Sequence, residues 1–321
     1  MKKLLLSLVG ILFACTSIAQ NTLVASLSHG TNITYYYGGT ALKQAVEAAA
    51  ESGDIINLSG GIFEATDITK AITLRGAGIA SDEPTYINGE FAINIPSTIT
   101  QQFTMEGINC RNKVSLTGAF NNPYFVKSQI QSIELVESTD AIKNIMVVSS
   151  KIPGGIYLKG SSTIYLVNSF SGDISREESA TSAAVIATNC VLRTYAGGMR
   201  FYNSQVYNCI FVAPGYTDGI LSETCTATNC ASTGSTYHKD IFDKAVKTDC
   251  QQVGGTVFKD EVDYELNDAV KESLKGNDGS EMGMYGGLQP YNPKPSYPLI
   301  SSMNVSPQTN EQGKLNVEVN Y

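Results

Sequence analysis

The chain has 321 residues, with 22 Lys+Arg against 30 Asp+Glu and a formal net charge of -8 at pH 7. Charged residues are 16%, against about 25% in an average soluble protein, and the balance is acidic, which excludes the basic patches needed for nucleic acid or an anionic membrane surface. Only 2 His are present and Trp is absent, so little room is left for His-based metal sites or for Ser-His and Cys-His nucleophiles.

Lys2-Lys3 precede an apolar run over 4–14, and Ser17-Ile18-Ala19 forms a small-x-small cleavage site. The pattern predicts a signal peptide over 1–19 and an exported protein, secreted or held at the outer cell surface. Leu12-Phe13-Ala14-Cys15 also resembles a lipobox, but Phe13 fits it poorly, so cleavage after Ala19 is preferred to lipid anchoring at Cys15. The run is too short to cross a bilayer and no other stretch is long enough, so no membrane span is expected.

Next in chain order, Thr40 is placed to cap a helix over 41–50, stopped at Gly53. Leu42, Ala45, Val46 and Ala49 form one apolar stripe, opposite Lys43, Gln44, Glu47 and Glu51. Such a helix is suited to cover an open sheet edge. Strand-like segments follow at 54–58, 62–63 and 68–74, punctuated by Ser59-Gly60-Gly61 and Gly76-Ala77-Gly78.

A short signature then recurs: apolar residues, an Asn or Ser, a small residue, and more apolar residues. Anchored on Asn109, Ser128, Ser150, Asn168, Asn189, Asn208 and Asn229, its spacings are 19, 22, 18, 21, 19 and 21. Repeats of paired helices need longer periods, whereas a coil of about twenty residues rich in Val, Ile, Thr, Tyr, Gly and Asn suits short strands and tight turns. Stacked coils pair every strand with its equivalent in the next coil, which predicts a parallel β-helix. Asn168, Asn189, Asn208 and Asn229 are expected to form a structural turn ladder, because Asn tolerates the left-handed conformation and its amide can bond to the next Asn. Cys190, Cys209 and Cys230 fall at equivalent positions beside that ladder. Stacked thiols are preferred there, with a disulfide clip between coils as the alternative. The pairing of these three with Cys110, Cys225 and Cys250 stays open, and the absence of any C-x-x-C argues against zinc.

The run over 41–78, with its helix, Gly-Asp-x-Ile, Gly-x-Phe and Ile-Thr-Leu-x-Gly-x-Gly elements, resembles the opening of secreted right-handed β-helix proteins of the pectate-lyase-like superfamily. The run over 276–287, ending in Gly283-Met284-Tyr285-Gly286-Gly287, resembles the closing segment of bacterial members. The resemblance implies an all-β fold, a right-handed parallel β-helix over 20–289 with an N-terminal amphipathic capping helix. Pro290, Pro293, Pro295 and Pro298 then suggest a stiff linker, and two strands around 308–313 a small C-terminal β-hairpin, so that 290–321 forms an appendage. That hairpin is expected to cap the end or pack on the flank, with an attachment tail as the alternative.

The superfamily includes lyases, hydrolases, epimerases and non-catalytic surface proteins, so the resemblance implies little about activity. The aspartate pair and Gly-His-Gly turn of its hydrolases are missing, as are the Asp-His and paired-Asp calcium motifs of its lyases. Asp173 and Arg193 are the one weak lyase pair, expected on neighbouring coils, with a surface salt bridge as the plain alternative. Tyr195, Tyr202, Tyr207 and Tyr216 cluster around two coils and are candidate sugar-stacking residues, although Tyr also packs well in strands. The reading is a non-catalytic surface or secreted protein that contacts polysaccharide or another surface. The alternative is a polysaccharide lyase cleaving uronate glycans by β-elimination. No metal or other cofactor is expected, apart from Ca²⁺ in the lyase alternative, where Asp278 and Glu281 are the acids to consider, with turn formation as their preferred role.

Overall fold

A computed structural model describes residues 23–118, 122–136, 144–177, 180, 182–194, 201–212, 220–233 and 240–297, together with the backbone of two strands at 302–309 and 315–320. The chain enters through an antiparallel pair, Val24–His29 with Asn32–Tyr37, and the first of these strands lies antiparallel to Ser52–Leu58. From Ser52–Leu58 onward, this first sheet is parallel and grows one strand per coil, through Thr163–Val167 and Ala184–Thr188 to Val246–Thr248. A second parallel sheet runs beside it from Gly61–Glu64 to Gln251–Val253. A third, shorter row pairs Phe91–Ile95, the ends of Ile108–Gly118 and Gln129–Leu135, Ile156–Leu158 and Ile174–Arg176. The molecule is a parallel β-solenoid.

Side chains alternate along each strand, as a period of two requires. In Thr163–Val167, Ile164 and Leu166 point inward while Thr163, Tyr165 and Val167 are partly exposed. Strict register then piles inward residues into columns: Leu74, Met105, Phe125, Val147, Leu166, Ala187, Val206 and Ala227 follow one another through the coils. All eight are buried.

From Thr104–Glu106 onward, each coil leaves the first sheet through one residue with positive φ. The row is Gly107, Lys127, Ser149, Asn168, Asn189, Asn208, Asn229 and Asp249, with φ from 45° to 68°. The four Asn of the expected ladder therefore do occupy left-handed corners. Upstream the register differs: the corners are Gly107, Lys127 and Ser149, one or two residues before the anchors Asn109, Ser128 and Ser150. The corner is imposed by the bend between two sheets, and Lys or Ser accepts it at modest strain, so residue type alone misplaces it.

The helix is Ala41–Ala48, shorter than expected. Gly53 does not stop it; Ala49 is already extended (ψ 151°), and Gly53 falls inside the next strand. The Thr40 side chain bonds Gln44 rather than capping the helix. Buried Asp54 takes the Ala50 N–H at 2.8 Å and lies 2.8 Å from His29 Nδ1, which turns the chain away. Lys70 Nζ donates to the carbonyls of Glu47 and Ala49, an end cap suited to the negative pole of the helix. The apolar stripe is as expected, with Ala41, Leu42, Ala45, Val46 and Ala49 buried.

Residues 257–291 return over the outer face of the second sheet. Phe170, Val191, Ile210 and Ala231 stack outward in register there, and they are covered by Phe258, Tyr264, Leu266, Leu274, Met282, Met284 and Tyr291. The Pro-rich run continues along the stack toward its start: Ser296 N–H donates to Glu106 Oε1 at 2.8 Å, the Tyr297 hydroxyl to the Gly76 carbonyl, and Arg75 sits over the Tyr297 ring. Beyond it, Ser302–Thr309 and Leu315–Asn320 pair antiparallel as a hairpin.

Candidate functional site

Glycines make the site. On the third row, inward Ile133, Ile156 and Ile174 alternate with outward Glu134, Tyr157 and Ser175, which sit side by side in register. Just before Tyr157, the chain passes through Gly154 and Gly155. A Cβ on Gly155 (φ +94°) would stand 2.0 Å from the Asp173 carbonyl, and one on Gly172 2.3 Å from the Pro153 carbonyl. Backbones of adjacent coils thus touch where only glycine fits. The result is a floor without side chains, walled by Lys113, Glu134, Tyr157, Lys159 and Asp173, and enclosing a groove of about 490 Å³.

The walls carry both signs of charge. Lys113 Nζ lies 2.9 Å from Glu134 Oε2 and 3.7 Å from Glu90 Oε2. The hydrogen bond and charge of Glu134, with Glu90 behind, hold the Lys113 pKa above its usual 10.5. Lys159 donates to the Val136 carbonyl at 2.9 Å and lies 5.7 Å from the Tyr157 ring centroid. Lys113 is therefore an ammonium at neutral pH, able to pair with an anion and unsuited to abstracting a proton.

Of the sequence candidates, Asp173 lines this groove and Arg193 does not. Arg193 lies under the returning segment, donating to the Pro153 carbonyl at 3.1 Å and to the Tyr264 hydroxyl at 3.5 Å, with its guanidinium 5.5 Å from the Phe170 ring centroid. It holds the Pro153 backbone beside the floor without facing the groove. Tyr202 does not line this groove; it stacks 4.0 Å from the Arg176 guanidinium, in a small adjoining pocket that shares Ser175. Tyr207 is exposed on the first sheet, where its hydroxyl accepts from Asn277 Nδ2 at 2.8 Å. These two do not form one platform, and Tyr195 and Tyr216 lie outside the described residues.

The Asn ladder is tied to the returning segment. Asn229 Nδ2 donates to Asn208 Oδ1 at 2.7 Å, the one side-chain bond between two ladder Asn among the described residues, and to the Lys275 carbonyl at 2.9 Å. Asn168 Nδ2 donates to the carbonyls of Met284 and Gly286. Asp278 accepts from Ser280 within a turn, and Glu281 pairs with Lys271 at 2.9 Å. Among the described residues, no cluster of three or more His, Cys, Asp or Glu is disposed to hold a metal ion.

What sequence reasoning missed is the groove itself. Its signal is the Pro153-Gly154-Gly155 kink facing Gly172 one coil later, which carries no functional signature until the two coils are set side by side. No model of a known protein family matches the chain, and no curated protein matches it.

Proposed function

We propose that the groove walled by Lys113, Glu134, Tyr157, Lys159 and Asp173 binds a segment of polysaccharide, and that the protein is an exported, non-catalytic surface or secreted protein. The observation that carries this reading is the set of outward groups across successive coils: a carboxylate, a phenol ring and a hydroxyl in register, flanked by two ammonium groups. Closely spaced donors and acceptors beside one ring face suit a polyhydroxylated chain. The two lysines favour a glycan carrying carboxylates. The lyase alternative needs a base at the sugar, and Lys113 is held in its protonated form. The leader over 1–19 supports export, and among the described residues no helix is long and apolar enough to cross a membrane.

The test is retention and product analysis together. Protein lacking the leader is incubated with immobilised acidic and neutral polysaccharides, with Ca²⁺ or EDTA, and soluble fragments are read by mass spectrometry. Retention on an acidic glycan without fragments is expected. Tyr157→Ala should weaken retention roughly fivefold, the equivalent of about 1 kcal/mol for one aromatic contact. Unsaturated uronate fragments would establish the lyase instead, and no retention on any glycan would remove the binding reading.

A further inference from the structure

From Lys127 onward, the position after each left-handed corner carries a second ladder. It reads Ser128, Ser150, Ser169, Cys190, Cys209, Cys230 and Cys250 along the stack. Each side chain donates to the carbonyl two residues earlier in its own coil, at 2.7 to 2.9 Å for the serines and 3.2 to 3.5 Å for the cysteines. Ser150 and Ser169 also accept the N–H of the previous rung at 3.1 Å, and Cys230 accepts that of Cys209 at 3.5 Å. The row therefore starts with hydroxyls and finishes with four thiols.

Those thiols differ in access. Cys190, Cys209 and Cys230 are 0% exposed, whereas Cys250 sits in the last coil and is only partly covered. Cys250 Sγ donates down to the Ala227 carbonyl at 3.4 Å, so it leans over the coil that holds Cys230. The residues that follow them, Ala231 and Gln251, are register partners in parallel strands. Paired strands stand roughly 4.8 Å apart, inside the range of Cα separations that a disulfide spans. The Cys230 thiol, hydrogen-bonding to Cys250, lowers the Cys250 pKa to about 7, while burial pushes the Cys230 thiol up.

We propose that Cys250 and Cys230 are an attacking and a resolving thiol that react with small-molecule disulfides to form a clip between the last two coils. The Cys250 thiolate attacks one sulfur of RS–SR, giving a mixed disulfide and releasing RS⁻. Cys230 passes its proton to that thiolate, attacks Cys250 Sγ and expels the second RS⁻, which takes up the proton that Cys250 had lost. Two protein thiols are oxidised by two electrons and one RS–SR is reduced to two RSH. The strands Val246–Thr248 and Gln251–Val253 have mostly exposed side chains and are paired on one side only, so the new bond ties down the open end of the stack.

The reduced full chain, natively folded at neutral pH, is treated with oxidised glutathione and analysed by intact mass and peptide mapping. The expected result is loss of two thiols, a Cys230–Cys250 linked peptide, and amide exchange over 246–253 slowed roughly tenfold or more as the last coil is tied down. Cys230→Ser should stop at a stable mixed disulfide on Cys250, and Cys250→Ser should stay reduced. Serine already serves the same rung in earlier coils, so both variants keep the ladder, and the wild-type linkage needs no variant at all. Any other linked pair, a mixed disulfide that persists in the wild type, or a Cys250 that reacts no faster than the buried thiols overturns the proposal.

Discussion

On the second sheet, Phe170, Val191, Ile210 and Ala231 follow one another outward through the coils, and the returning segment 257–291 covers them. On the third row, Glu134, Tyr157 and Ser175 follow one another in the same way and stand open as the groove wall. Backbone pairing is made along both rows, so what separates them is side-chain polarity. Each large apolar side chain taken out of water gains roughly 1.5–3 kcal/mol, enough in sum to hold a long segment against the stack. A carboxylate, a phenol and a hydroxyl would lose hydration under such a cover. A solenoid with regular coils can thus cover one flank and leave another as an open, polar groove by changing only outward residues.

A charge placed in the covered row should have the most severe effect. Ile210→Asp places a carboxylate at a site that is 0% exposed, between Val191 and Ala231. A loss of about 4 kcal/mol in urea unfolding is expected, with proteolytic cutting inside 257–291 before the coils open. A loss below about 1 kcal/mol would mean that this face is not a joint.

A smaller effect is expected at the groove floor. Gly155→Ala adds a Cβ 2.0 Å from the Asp173 carbonyl at φ +94°, and should cost about 2 kcal/mol in thermal unfolding while abolishing glycan retention. Gly254→Ala, where a Cβ meets nothing within 4 Å, should change neither. Equal effects at both positions would show that the close approach of coils at Gly155 is not what shapes the groove.

The smallest expected change is electrostatic. Glu134→Gln removes the main group that favours the Lys113 ammonium, so the Lys113 titration followed by NMR should move down toward 10.5. A raised lysine contributes stability that is present below 10.5 and fades as pH rises past its folded value, so wild type and variant should converge at the alkaline end. The difference should be slight, because Lys113 and Glu134 are both partly exposed. A Lys113 titration that does not move would show that Glu134 does not set its charge.

Much of this architecture was legible in the residues. Asn168, Asn189, Asn208 and Asn229 mark true left-handed corners, and the stripe through Leu42, Ala45 and Val46 marks the helix face that is buried. The upstream register was not legible, since Lys127 and Ser149 carry no signature of a left-handed corner while the serines after them imitate one. The split between Asp173 and Arg193 was equally hidden. Both follow a ladder Asn by four or five residues, but the chain bends within those few residues, so one faces the groove and the other lies under the segment that carries Tyr264.

The coil period, the left-handed corners at the four Asn and the alternation that points apolar residues inward were written in the residues themselves, because each depends on neighbours within one turn of the chain. Only the tertiary structure decided which outward row is covered, where adjacent backbones touch at Gly155 and Gly172, and which thiol of the row is left at the open end. Those outcomes depend on coils and segments distant along the chain meeting in space, and no local preference encodes them.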